Sequence, residues 1–232
     1  MLVSGYNFAS HIQNVSCMLD MLLKQEDVSV VFVNDGSTDK SEQTLLDFKT
    51  KNLKVISNHR NMGLTKSLIL GANLIESGFI VRWDVDDWFG SDRIEEIKKL
   101  ACQGYEFIAS NTVAYNPQIE PVRSFSAPRC WNSARIIGLY RNPFVHGACA
   151  FSKNLYSQTN GYNDAYTYAQ DYEYWSRLFM LPNVQYSQGT KTYNLTLQPN
   201  SISVVKQKEQ RSNFKRARKA YWKNFLTHRF HD

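Results

Sequence analysis

The strongest constraint on the fold is an alternation of short apolar runs with segments of helical periodicity. Val28-Ser-Val-Val-Phe-Val33 is continuous, rich in β-branched residues and only long enough for a strand buried on both faces. Leu53-Lys-Val-Ile-Ser57, Phe79-Ile-Val-Arg-Trp83 and Glu106-Phe-Ile-Ala-Ser110 have the same character. Leu2 to Ser4 reads as an abbreviated first strand, short enough that an upstream start can be missing. Between these runs, Ile12, Val15, Leu19 and Leu22 repeat at helical spacing, as do Leu64, Leu68 and Ala72. Asp39 ahead of Glu42, and Ser91 ahead of Ile94, Ile97 and Leu100, read as helix-capping signals. Strands alternating with helices predict βαβ units, hence an α/β fold with a mainly parallel central sheet flanked by helices. Ligands in such sheets sit beyond the carboxyl ends of the strands, which directs attention to the loops that follow them.

Length and composition set the remaining bounds. A chain of 232 residues, 43% hydrophobic and 21% charged, is one large soluble domain or a domain with a small appendage. No window approaches the run of about 20 apolar residues that spans a bilayer. The N-terminus lacks a basic stretch followed by an apolar run, so no signal peptide is expected and the chain is placed in the cytoplasm. Cys17, Cys102, Cys130 and Cys149 have no CxxC spacing and read as reduced, mostly buried thiols. The second half, from about Asn111, is less regular and crowded with aromatics between Tyr162 and Trp175.

Three loops that follow strands carry chemistry. Asn34-Asp35-Gly36-Ser37-Thr38-Asp39 is either a turn with a helix cap or a site where Asp35 accepts a hydrogen bond from a base edge. Asn58-His59-Arg60-Asn61-Met62-Gly63-Leu64 offers Arg60 to a diphosphate, and Gly63 lets backbone approach a nucleotide closely. Asp84-Val85-Asp86-Asp87 places three carboxylates within four residues at a strand end. They repel one another and lose hydration there, a conflict that Mn²⁺ or Mg²⁺ removes by taking carboxylate oxygens and keeping positions for phosphates. A solvated acidic turn is the competing reading. Farther on, Asp171 in Gln170-Asp171-Tyr172-Glu173-Tyr174-Trp175 is either a helix cap or a base whose affinity for protons is raised by aromatic surroundings.

Taken in order, these pieces resemble the family 2 glycosyltransferases, inverting enzymes of the GT-A fold. Gly5-Tyr6-Asn7 resembles the end of that family's first strand, and Asn34 to Asp39 its D-D-G-S-x-D loop. Asn61-Met62-Gly63-Leu64 resembles its N-x-G-L helix start, and Asp84 to Asp87 its D-x-D-D metal motif. His146-Gly147 through Gly161-Tyr162-Asn163 is similar to its acceptor-side segment, and Ala169 to Trp175 to its E-D-x-x-L-W helix. The resemblance covers about residues 2–205 and implies a nucleotide-binding half at about 1–110 and an acceptor half at about 111–205. It further implies a UDP-sugar donor and a glycan or lipid-linked acceptor. Asp35 would read the uracil and Tyr6 flank it. Asp84 and Asp86 would hold ribose and metal, with Asp87 in support. Asp171 would be the catalytic base, with His146, Gly147, Tyr172 and Trp175 on the acceptor side. The sequence departs from the pattern at Tyr193-Asn194-Leu195-Thr196, where the family commonly has Y-R-x-H.

The net charge of +6 is concentrated between Lys206 and His231, where Phe214, Tyr221, Trp222, Phe225 and Leu226 interleave with the basic residues. Residues 206–232 therefore form a basic amphipathic tail, suited either to an anionic membrane surface or to docking on the domain by its aromatic face. No motif supports nucleic-acid binding. Two other activities are compatible with acidic loops on an α/β sheet. A sugar-phosphate nucleotidyltransferase would show a basic, glycine-rich first loop, which Ser4-Gly5-Tyr6-Asn7-Phe8 is not. A silent nucleotide- or carbohydrate-binding module would have no need of Asp86 and Asp171.

Overall fold

The computed structural model describes residues 1–48, 50–199 and 201–229; the end of the basic tail, His231 included, lies outside them, as does the side chain of Arg229. In chain order the elements are β1 (Leu2–Gly5), α1 (Ile12–Leu23), β2 (Val30–Asn34), α2 (Ser41–Asp47), β3 (Leu53–Ser57), α3 (Leu64–Asn73), β4 (Phe79–Val81) and α4 (Ser91–Cys102). There follow β5 (Phe107–Tyr115), β6 (Pro121–Phe125), α5 (Trp131–Gly138), β7 (Cys149–Ser152), α6 (Lys153–Gln158), α7 (Gln170–Leu178), β8 (Tyr186–Thr196), α8 (Ile202–Val205) and α9 (Gln207–Arg229).

The α/β architecture expected from the sequence is present. β1, β2 and β3 pair in parallel, and a parallel bridge from Leu2 to Arg82 joins β1 to the chain just after β4. β7 lies antiparallel between β4 and β5, β8 runs parallel to β5, and β6 closes the edge antiparallel to β5. Only β6 and β7 oppose the common direction. β2 shows why its sequence is a continuous apolar run. Val31 packs into the core layer containing Leu68, Phe107 and Trp175, whereas Val30 and Phe32 pack into the layer containing Leu19, Trp83 and Ile94. Side chains alternate across a strand, so a sheet covered on both faces needs apolar residues at every position.

Helices form where the apolar period was seen, but their starts differ in detail. Ser91 is the first residue of α4 and Gly90 its cap; neither donates a side-chain cap. Asp39 stands two residues before α2, and its carboxylate receives the amides of Ser41 and Ala9, which ties the turn before α2 to the chain after β1. The cysteines depart from expectation, since only Cys149 is buried and the other three are exposed. The basic tail is docked. Tyr221 is 2% exposed and joins the core of α5 and α7, its hydroxyl donating to Arg135 O at 2.9 Å. Trp222 Nε1 donates to Leu139 O at 2.7 Å, and the Phe214 ring lies 4.2 Å from that of Tyr172. The lysines of α9 remain outside. Lys208, Lys215 and Lys219, spaced by seven and four residues on one helical face, are all exposed.

Candidate active site

The register of the parallel strands brings the candidate loops together. Gly5 pairs with Asn34 and Asn34 with Ser57, so the chain after each of these strands leaves the sheet at one rim. There Asn7 and Thr38 clip two loops, with Thr38 N donating to Asn7 Oδ1 at 2.8 Å and Asn7 N to Ser37 Oγ at 2.9 Å. Asn7 adopts φ 49°, and Tyr6 beside it is 46% exposed, leaving its ring free to meet a planar ligand. Gly36 has φ 71°, and a Cβ there would stand 2.3 Å from the backbone carbon of Arg60, so only glycine lets these two loops touch. Arg60 and Asn61 are exposed on the rim.

Asp35 is 3% exposed and is the clamp of this rim. Its Oδ1 accepts from Asn58 Nδ2 at 2.7 Å and Met62 N at 2.9 Å, and its Oδ2 accepts from Gly63 N at 2.9 Å. One lone pair on Oδ2 is left for a ligand donor. The same bonds fix Gly63 at the start of α3. The next helical residue but one, Thr65, donates its hydroxyl to Tyr166 O at 2.8 Å and Thr167 O at 3.1 Å, joining the nucleotide side to the segment before Asp171.

The acidic loop after β4 is held from several sides. Asn14 Nδ2 donates to Val85 O and Asp87 O, and Trp83 Nε1 donates to Asp87 O at 2.9 Å. The carboxylate of Asp87 faces β8, taking the Tyr193 hydroxyl at 2.8 Å and Thr196 N at 2.8 Å. Both of its oxygens are thus engaged by protein, and burial with the charges of Asp86 and Asp84 pushes its pKa well up. Its part is to fasten the loop. Thr196 also donates its hydroxyl to Asp86 O, and Asp84 N donates to the Tyr193 hydroxyl at 3.2 Å. Tyr193, which matches the Y-R-x-H pattern, and Thr196, which stands in place of its His, therefore build the loop's scaffold. Gly147, placed on the acceptor side by the sequence, serves the same scaffold: a Cβ there would lie 2.1 Å from the Tyr193 hydroxyl.

Asp84 and Asp86 are less engaged by the protein. Asp84 Oδ1 pairs with Nη2 of Arg82, a fully buried arginine whose Nη1 donates to Leu2 O and Trp83 O. Among the described residues the Asp86 carboxylate accepts only from its own backbone amide, and its pKa is pushed up to about 6 by burial first and Asp84 second. A half-buried carboxylate with no donor but its own amide, beside a second whose Oδ2 has no partner among the described residues, suits a hard cation. Among the described residues no cluster of three or more metal-binding side chains is formed, so the protein offers two carboxylates rather than a closed cage. Mg²⁺ and Mn²⁺ are commonly held that way, with substrate phosphates completing the shell.

Asp171 opens α7 after Ala169, which caps the helix in the left-handed region at φ 55°. Asn142 Nδ2 donates to Asp171 Oδ2 at 2.7 Å, and the backbone amides of Asp171 and Tyr172 also hold the carboxylate at the first turn of α7. Burial raises the Asp171 pKa, with a smaller contribution from the charge of Asp84, which places the two carboxylates in one electrostatic field. His146 Nε2 meets the Tyr162 hydroxyl at 2.8 Å and its ring lies edge-on to Trp175. Burial, aided by the nearby Arg82 charge, pushes its pKa well below the ordinary value, so it stays neutral. Tyr172 and Trp175 were expected on the acceptor side, but both are fully buried. Tyr172 turns to α9 and donates to Gly138 O, and Trp175 packs against Phe107 and Phe151, so they are core residues rather than an acceptor platform. The sequence assigns no role to Arg82 and Asn142, and it marks Tyr193 to Thr196 only as a segment that departs from the family pattern. A charged residue inside an apolar strand was the available signal for Arg82.

The sequence profile of Glycosyl transferase family 2 matches residues 11–157, most of the chain and both acid-bearing loops of the nucleotide side. The chain belongs to this family. It is 27% identical to an uncharacterized glycosyltransferase of Haemophilus influenzae over 241 aligned residues, covering 96% of this chain and 73% of that protein. It is 29% identical over 152 residues to the UDP-Gal:α-D-GlcNAc-diphosphoundecaprenol β-1,3-galactosyltransferase of Escherichia coli, covering 63% of this chain but only 54% of that enzyme. Its fold is that of S. aureus TarS residues 1–349, solved in complex with UDP-GlcNAc, at a TM-score of 0.69 and 20% identity over 86% of this chain and 58% of that one. This family 2 member therefore has the α/β core of the TarS structure within a shorter span. Among its described residues no helix is long and apolar enough to cross a membrane.

Proposed function

We propose that this glycosyltransferase moves a sugar from a UDP-sugar to an acceptor hydroxyl with inversion at the anomeric carbon. One observation supports the reading: Asp86 and Asp171, from two distant stretches of chain, each lie near enough to Asp84 for its charge to add to the rise in their pKa. On this reading Tyr6 flanks the uracil, the free lone pair of Asp35 accepts from its edge, and Arg60 and the Asn61–Gly63 turn lie along the diphosphate. Asp84, oriented by Arg82, and Asp86 hold Mn²⁺ or Mg²⁺. The bound cation would neutralise charge that develops on the departing diphosphate. Asp171, oriented by Asn142 and by the amide of Tyr172, takes the proton of the acceptor hydroxyl. Desolvation makes it a stronger base than an exposed aspartate, and direct attack opposite the leaving group inverts the anomeric centre.

Residues 1–205 would constitute the catalytic unit. The helix α9 is a docked element with a lysine-bearing outer face, suited to the anionic inner surface of a cell membrane, where a lipid-linked acceptor would be presented. The deciding experiment incubates the protein with a panel of nucleotide sugars and MnCl₂ and scores release of free nucleotide. Hydrolysis of one UDP-sugar, abolished by Asp86→Ala, supports the proposal. Equal, metal-independent turnover in the variant defeats it.

A further inference from the structure

A cavity is linked to Asp171 through Asn142. The hairpin of β5 and β6 and the segment 141–145 enclose a cleft of about 370 Å³. Asn142 lines it and donates to Asp171, so one side chain joins the cleft wall to the proposed base. Arg123 and Arg141 also line it, both exposed, and neither has an acidic partner among the described residues. The Arg123 guanidinium rests over the Phe125 ring at 4.6 Å, a contact that uses none of its N–H groups as conventional hydrogen-bond donors. No residue lining the cleft is acidic. Two further features point to a missing ligand. Thr112 is 1% exposed, lines the cleft, and its hydroxyl has no hydrogen-bond partner. Beneath the floor, fully buried Arg93 donates to the Ser110 hydroxyl at 3.1 Å, and its Nη1 is unpartnered. A positive field with unspent donors is costly unless an anion completes it.

We infer that this cleft binds the acceptor, and that the acceptor carries a phosphate or diphosphate ester gripped by Arg123 and Arg141 while its hydroxyl meets Asp171. The inference rests on the transferase reading of Asp171. Two guanidiniums match the several oxygens of a phosphate group, whereas a single carboxylate would satisfy only one of them. The phosphate can belong to a lipid carrier or to a phosphorylated glycan.

Calorimetric titration of the full chain saturated with UDP and MnCl₂ separates these cases. Hexyl diphosphate stands for the lipid carrier, glucose 6-phosphate for the glycan, and glucose and glucuronate are the neutral and carboxylate controls. One or both phosphorylated probes should bind about tenfold or more tightly than either control, and the tighter of the two identifies the source. The Arg123→Ala/Arg141→Ala double variant should lose about tenfold, and the corresponding double lysine variant should recover part of it. Equal binding of all four probes, no binding of the phosphorylated ones, or unchanged affinity in the double variant overturns the inference. Displacement of the probe by UDP, or parallel loss of UDP affinity in the double variant, assigns the phosphate to the donor site and overturns it as well. If UDP does not bind the native chain, the donor reading fails, and the phosphorylated probes alone still decide whether the cleft takes phosphate.

Discussion

Asp86→Asn should stabilise the metal-free protein and remove its response to Mn²⁺. In the folded chain the Asp86 pKa rises from an ordinary 3.8 to about 6, through burial and then the charge of Asp84. A rise of two units corresponds to roughly 3 kcal/mol, and water reaching a half-buried carboxylate reduces that to about 1–2 kcal/mol. The sign follows from the raised value. The folded state holds this proton more tightly than the unfolded chain, so the associated stability is present below the unfolded pKa and is lost as pH rises through about 6. At pH 7.5 the ionised side chain therefore strains the metal-free protein, and a neutral amide relieves it. For a chain of this size the melting temperature should rise by about 2–8 °C in EDTA. The native protein should recover stability when Mn²⁺ and UDP are added, by about 2.7 kcal/mol at a hundredfold excess over Kd, and the variant should not. Differential scanning calorimetry at pH 7.5 and pH 5 measures all of this. A variant that melts lower in EDTA, keeps its full pH 7.5 advantage at pH 5 instead of about half of it, or gains as much from Mn²⁺ and UDP as the native chain contradicts this assignment.

Asp171→Asn should keep UDP affinity while transfer falls about 10²–10⁴-fold, as measured by single-turnover assay with a labelled donor. In the native enzyme burial raises the Asp171 pKa, so transfer should fall as pH drops through that elevated value, and a pH–rate profile without this acidic limb contradicts its role as base. Gly147→Ala places a methyl group 2.1 Å from the Tyr193 hydroxyl and should cost about 1–3 kcal/mol in urea unfolding, because Tyr193 is fixed by Asp84 and Asp87. Tyr221→Ala should cost about 3–5 kcal/mol, since α9 is bound to the core there. Reversing Lys208, Lys215 and Lys219 to Glu should leave the melting temperature nearly unchanged but abolish co-sedimentation with anionic liposomes; retained binding would remove the membrane role from α9.

The strands and the acidic rim were legible because their signals are local. β2 is apolar at successive positions since both faces of the sheet are covered, and Asp84 and Asp86 stand next to a strand end in the chain itself. The caps at Ser91 and Asp39 were shifted because Gly90 adopts the extended geometry that the cap position requires, leaving Ser91 to begin the helix. Tyr172 and Trp175 were misplaced for a different reason. An aromatic beside a candidate base fits a substrate platform or a core equally well, and the choice is made by α9 and β5, which lie far away in sequence. Asn142 left no trace, as a lone asparagine in an irregular segment acquires its role only when a distant carboxylate folds against it, and Thr196 at the end of β8 showed only as a departure from the family pattern. The basic tail divided along its own helix, with aromatics inward and lysines outward, so that docking was half of a pattern already visible in the spacing.

The central claim is that Asp84 and Asp86 form the protein's half of a divalent-cation site that receives a nucleoside diphosphate. Its most direct test is an anomalous diffraction map from crystals grown with MnCl₂ and UDP. The account predicts a manganese peak about 2.1 Å from an Asp86 oxygen and in contact with the diphosphate, with Asp87 still bonded to Tyr193 and Thr196. A UDP molecule bound with no manganese at Asp86, or manganese held by Asp87 after release from β8, contradicts it.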